Sequence, residues 1–123
     1  MKKILFILML TIGTHAFANC EVYIPNKYFH HDSGYSINFD FYKLLQPKGY
    51  VEVGDSSAPQ VLLIEGQEIT GRFHKAQARM SFGDIHIIQN VVCLTQWCGV
   101  SDYAKAFNKA YRRLSDQLPF CRK

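Results

Sequence analysis

The hydrophobic positions of this 123-residue chain recur with two periods, and the order in which those periods appear outlines a fold. The clearest stretch is Lys75 to Val92. Ala76, Ala78, Met80 and Phe82 alternate with Lys75, Gln77, Arg79 and Ser81, the period of two of a strand buried on one side. Gly83-Asp84 then suits a two-residue hairpin loop with glycine first, a type II′ pattern. If Phe82 pairs with Ile85, Met80 stands opposite Ile87, Ala78 opposite Gln89 and Ala76 opposite Val91. The apolar set then shares one face, apart from Gln89.

Shorter runs supply the other strands. Glu21 to Ile24 alternates and stops at Pro25, Tyr50 to Val53 is brief, and Gln60 to about Ile69 opens with Val-Leu-Leu-Ile. A turn at Thr70-Gly71 would set Val61 opposite Met80 and Leu63 opposite Ala78. The period changes to 3.6 in two places. Ser36 can cap a helix whose face carries Ile37, Phe41, Leu44 and Leu45, ended by Pro47-Lys48-Gly49. Ser101 as cap and Asp102 in the first turn open a longer helix. Its stripe is Tyr103, Phe107, Ala110, Leu114 and Leu118, and Pro119 stops it. Alanines at 76 and 78 would let a helix approach the sheet closely. The expected fold is a disulfide-stabilised, two-layer α+β sandwich. An antiparallel β-meander carries one short early helix and one long C-terminal helix packed on one face.

The N-terminus changes the picture. Lys2 and Lys3 precede the apolar run Ile4 to Ile12, and Ala16-Phe17-Ala18 offers small residues where a signal peptidase cuts, so Met1–Ala18 reads as a Sec-type export leader. The expected mature chain is one α+β domain, residues 19–123, periplasmic or secreted. An uncleaved anchor would need a longer apolar segment, and a lipid on Cys20 would call for a small residue where Asn19 stands. Losing Lys2 and Lys3 halves the net charge of +4. The remainder is too weakly basic to signal nucleic acid. No later segment approaches the roughly 20 apolar residues of a membrane span.

Export gives the four cysteines an oxidising setting, where disulfides persist. Three pairings are open to Cys20, Cys93, Cys98 and Cys121. Placement in the expected fold favours Cys93 with Cys98, clamping the strand-to-helix turn, and Cys20 with Cys121, joining the ends of the domain. The Cys93–Cys98 spacing is not Cys-X-X-Cys, and no second close Cys or His pair completes a zinc set.

Candidate chemistry is sparse. His30-His31-Asp32 is the one local cluster that could hold a metal or act as acid and base, and a solvated loop is the more ordinary reading. No G-x-S-x-G elbow and no glycine-rich phosphate loop occurs, so neither a catalytic residue nor a cofactor or metal site is assigned. Lys105, Lys109, Arg112 and Arg113 gather on the polar side of the last helix, as an anion-binding stripe or a solvated face. By the register above, Leu62, Ile64, Lys75, Arg79, Ile88 and Val92 share the sheet face away from the helices. Apolar and cationic side chains mixed in this way characterise partner surfaces, unless the loop Asn26–Gly34 folds over them. The leading expectation is an exported, non-enzymatic binding or accessory protein with a protein partner in the cell envelope, in an assembly, inhibitor or immunity-type role. The alternatives are a metal protein or hydrolase using His30, His31 and Asp32, and a binder of anionic envelope surfaces through the last helix.

Overall fold

The computed structural model describes residues 20–94 and 97–121; the expected leader, Met1–Ala18, lies outside them. Five strands form one sheet: β1 (Glu21–Tyr23), β2 (Val51–Val53), β3 (Gln60–Ile69), β4 (Lys75–Phe82) and β5 (Ile85–Val92), in the order β2-β1-β3-β4-β5. A short helix α1 (Phe41–Leu45) runs into a 3-10 turn at Gln46–Lys48, and a long helix α2 (Val100–Gln117) closes the chain. This is a disulfide-stabilised α+β fold. Its β3-β4-β5 part is the expected antiparallel meander, whereas β1 lies parallel to both β2 and β3. The loop between Val53 and Gln60 therefore carries the chain across β1.

The β4–β5 hairpin has the register its turn chemistry dictates, with Phe82 opposite Ile85, Met80 opposite Ile87, Ala78 opposite Gln89 and Ala76 opposite Val91. Gly83 takes φ +58°, which glycine adopts without the steric penalty of a side chain. Asp84 has no such positive φ, as a type II′ loop requires.

The register of β3 differs from expectation. Ile64, not Val61, pairs with Met80, and Gly66 pairs with Ala78. The chain makes a longer connection, Thr70–His74, in place of a tight turn at Thr70-Gly71. A slip of three is odd, and an odd slip turns every β3 side chain to the opposite face. Leu62 and Ile64 are accordingly core residues, each 0% exposed, and not members of a partner surface. The physical reason lies at Gly66. Phe107 of α2 packs so close that a Cβ on Gly66 would stand 2.8 Å from its Cζ. Gly66, Ala76 and Ala78 form the small-residue floor on which the helix lies.

Two helix starts also move. Ser36 does not cap α1: its hydroxyl is 2.6 Å from His30 Nδ1, and the two residues form a β-bridge. The helix begins at Phe41, capped by the Asp40 carboxylate, which accepts the Lys43 N–H. The preceding segment is extended, and its alternate rings pack on α2: Tyr35 stacks on Phe107 and Phe39 on Tyr111. Ile37, Phe41, Leu44 and Leu45 are all buried, so the expected apolar set is right although its first residue is not helical. In α2 the N-cap is Gly99 rather than Ser101, and the Asp102 carboxylate accepts the Gly99 N–H at 2.9 Å. The stripe Tyr103, Phe107, Ala110, Leu114 and Leu118 is buried in full.

Both disulfides form in the expected pairing. Cys20–Cys121 spans 101 positions with a Cα separation of 5.8 Å, and Cys93–Cys98 closes a short loop at 5.3 Å. Both separations lie in the usual range for cystines. Around the first bridge, Cys121 N–H donates to the Lys48 carbonyl and the Tyr50 hydroxyl to that of Pro119. The two ends of the domain are thus tied at one edge of the sheet.

Candidate partner-binding face of the sheet

With α1, α2 and the Tyr35–Phe39 segment on one side, no described residue forms a layer over the other side of the meander. The rows that cross it follow from the pairing: Leu63, Ser81 and His86; then Glu65, Arg79 and Ile88; then Gln67, Gln77 and Asn90; then Ile69, Lys75 and Val92. The loop Asn26–Gly34 does not cover these rows. It runs along the edge of β3 where β1 ends, with Asn26 Nδ2 donating to the Ile64 carbonyl at 2.8 Å. Phe29 turns inward, 5.7 Å from the Phe107 ring, and Tyr28 stays exposed.

Of the residues assigned to this face from sequence, Arg79 and Ile88 are direct cross-strand neighbours, and so are Lys75 and Val92. All four are exposed. An amide row separates the two pairs: Gln67 Nε2 donates to Gln77 Oε1 at 2.7 Å, and Gln77 Nε2 donates to Asn90 Oδ1 at 3.1 Å. Each side chain orients the next, which explains why Gln77 is buried without leaving polar atoms unpaired. The face is therefore two patches. The central one holds Leu63, Glu65, Arg79, His86 and Ile88 around a depression of about 50 Å³. The other lies at the end of the sheet.

Leu63, Glu65 and His86 were not assigned to the site from sequence. The parity of β3 was the missing information, because Val61-Leu62-Leu63-Ile64 is apolar at both parities. Neither Arg79 nor Lys75 makes an ion pair among the described residues, so both charges face solvent. β5 also forms the outer edge of the sheet, and its eight residues include no Lys, Arg, Asp, Glu or Pro. Edge strands of that length normally carry such residues to block pairing with another chain.

The other candidates are placed apart. His31 Nδ1 accepts the Ser33 N–H, His30 is engaged with Ser36, and Asp32 is exposed. Among the described residues no three His, Cys, Asp or Glu side chains are grouped to hold a metal. Lys105, Lys109, Arg112 and Arg113 are all exposed on the side of α2 turned away from the sheet. On the inner side, Glu68 accepts the Cys98 N–H at 2.8 Å, with His74 Nδ1 3.8 Å from its other oxygen. His86 is on the outer face, so the two histidines fall on opposite sides as their parity requires. The buried Tyr103 hydroxyl has no hydrogen-bond partner among the described residues; burial, then the Glu68 and Asp102 carboxylates, pushes its pKa up to about 12.

No family model matches the chain, and neither a curated protein nor a solved structure matches it.

Proposed function

We propose that the protein is a small exported, disulfide-bonded binding protein without enzymatic activity, which holds a protein partner of the cell envelope on the central patch of its open sheet face. Assembly-accessory, inhibitor and immunity-type roles all use such a module. The observation that carries this reading is the patch itself. Leu63 stands exposed in the row next to Arg79 and Ile88 stands exposed directly opposite Arg79, with no layer of the described residues over them. A face this mixed resembles the core and rim of protein interfaces, in which arginine beside apolar side chains is enriched. The uncharged β5 edge adds a row of backbone donors and acceptors along which a partner can extend its contact. Two disulfides hold the scaffold in its binding shape, which lowers the ordering cost of association.

Site-specific photo-cross-linking in the native host tests this. A cross-linker replacing Ile88 is expected to give one defined adduct, lost when Leu63→Asp or Arg79→Glu is added while the melting temperature holds. The same reagent replacing Lys109, on the far side of α2, should give none. An adduct that forms equally well from position 109, or survives both substitutions, would refute the assignment of the face.

A further inference from the structure

Beyond the amide row, the sheet ends in a second exposed patch that the partner site does not use. Cys93 N–H donates to the His74 carbonyl at 2.8 Å, so the β4–β5 pairing continues one step past Lys75 and Val92. Phe73 and Leu94 are the next residues along the two chain segments. Phe73 is 63% exposed, Leu94 94% and Trp97 69%, with Val92 half exposed next to them. These side chains project from two adjoining turns, the Thr70–His74 connection and the loop closed by Cys93–Cys98.

Charge at this end is sorted. Arg72 lies 5.8 Å from the Phe73 ring centre and Lys75 is exposed in the adjacent row. Two acids nearby are engaged with backbone amides: Glu68 accepts the Cys98 N–H and Asp102 the Gly99 N–H. The tip therefore presents aromatic and aliphatic side chains with two cations, Arg72 and Lys75, beside Phe73, and with the nearby carboxylates bonded to backbone amides.

We propose that this tip is a membrane-docking site, which inserts Phe73, Leu94 and Trp97 between the headgroups of an anionic lipid surface while Arg72 and Lys75 meet the phosphates. Three features select a lipid surface. Projecting apolar side chains need a medium that opens around them, which acyl chains and headgroups supply. Tryptophan with arginine and lysine is the composition that settles at the membrane–water interface. The Cys93–Cys98 disulfide fixes the two ends of the loop that carries Leu94 and Trp97, which lowers the order lost on docking. Docking in this manner would leave the central patch, on the far side of the amide row, open to a protein partner.

Trp97 is the only tryptophan in the chain, so its fluorescence reports on the tip alone. The oxidised protein lacking residues 1–18 is titrated with vesicles of phosphatidylcholine, with and without phosphatidylglycerol. Emission should shift to the blue with the anionic vesicles and be quenched by bromine carried on the acyl chains. Partitioning should fall about tenfold or more without phosphatidylglycerol, or when salt is raised from about 0.1 M to about 1 M. Phe73→Ser with Leu94→Ser, and separately Arg72→Glu with Lys75→Glu, should each weaken partitioning about tenfold or more at unchanged melting temperature. Lys109→Glu with Arg112→Glu and Arg113→Glu should change it less than about twofold, because that stripe faces elsewhere. An emission spectrum unmoved by any vesicle would overturn the proposal, as would binding lost in the helix variant but kept in the tip variants. A blue shift that depends on protein concentration without lipid would overturn it too, assigning the tip to self-association instead.

Discussion

Gly66 gives the sharpest test of how α2 sits on the sheet. Its backbone φ is not positive, so the strand does not need glycine for conformational reasons. What excludes a side chain is Phe107. A Cβ at position 66 would lie 2.8 Å from Cζ and 3.0 Å from Cε2 of that ring, and 3.4 Å from Phe29 Cζ. Phe107 has little freedom to retreat, being fully buried with Tyr35 stacked at 5.1 Å and Phe29 at 5.7 Å. Gly66→Ala therefore sets two effects against each other. Stiffening the unfolded chain stabilises by about 0.4–1 kcal/mol. Overpacking a core of this density costs about 1–3 kcal/mol. The second wins, and a net loss of about 1–2 kcal/mol would lower the melting temperature by roughly 5–15 °C in a domain of this size. In a Phe107→Leu background the ring is gone, and the same Gly66→Ala change should become neutral or stabilising. Thermal and urea melts of the four oxidised proteins complete the cycle. If Gly66→Ala costs as much in the Phe107→Leu background as in the wild type, or costs nothing in the wild type, the close helix–sheet approach described here is wrong.

Other outcomes follow from the same geometry. Leu62→Ala should cost about 2–5 kcal/mol in a urea melt and Leu63→Ala less than about 1, because adjacent β3 residues face core and solvent; equal losses would contradict the β3 register. Replacing Cys20 and Cys121 by serine should cost about 4–5 kcal/mol and replacing Cys93 and Cys98 about 2, since the first pair closes the longer loop; the reverse order in thermal melts would rule out loop closure as the source. Tyr103 loses in alkali what its burial confers on the neutral phenol. Its folded pKa of about 12 lies above the unfolded value, so that stability is complete below about pH 10 and lost as pH rises through about 12. Tyr103→Phe should match wild-type stability near neutral pH, because the lost hydroxyl has no partner among the described residues, and should decline less steeply in melts above about pH 10. An unchanged alkaline slope would sink that account.

The parts of the fold legible in the chain are those decided by neighbours in sequence. The β4–β5 hairpin could be read to the residue, because a glycine-first turn and a strict alternation allow one register. The stripe of α2 could be read for the same reason, since Tyr103 to Leu118 has a single period with a proline at its end. Ambiguity entered where two periods coincide. Ile37, Phe41, Leu44 and Leu45 fit a helix, yet Tyr35, Ile37 and Phe39 also fit an extended segment, and stacking on Phe107 and Tyr111 favours the second up to Asp40. The candidate site shared that fate. Arg79, Ile88, Lys75 and Val92 are exposed as the well-specified hairpin requires, whereas Leu62 and Ile64 are buried because they lie on the strand whose parity the sequence leaves open.

Local sequence pattern therefore set the β4–β5 hairpin and the stripe of the last helix, and the cysteine pairing follows from where those elements place the four residues. Tertiary packing decided three things: the face β3 presents, the parallel placement of β1 between β2 and β3, and the two patches divided by the Gln67–Gln77–Asn90 row. The reason is one of range. A turn or a helix repeat is chosen by contacts a few residues apart, whereas the parity of an apolar run depends on which of its residues can meet a ring contributed from the far end of the chain, and at Gly66 that ring is Phe107.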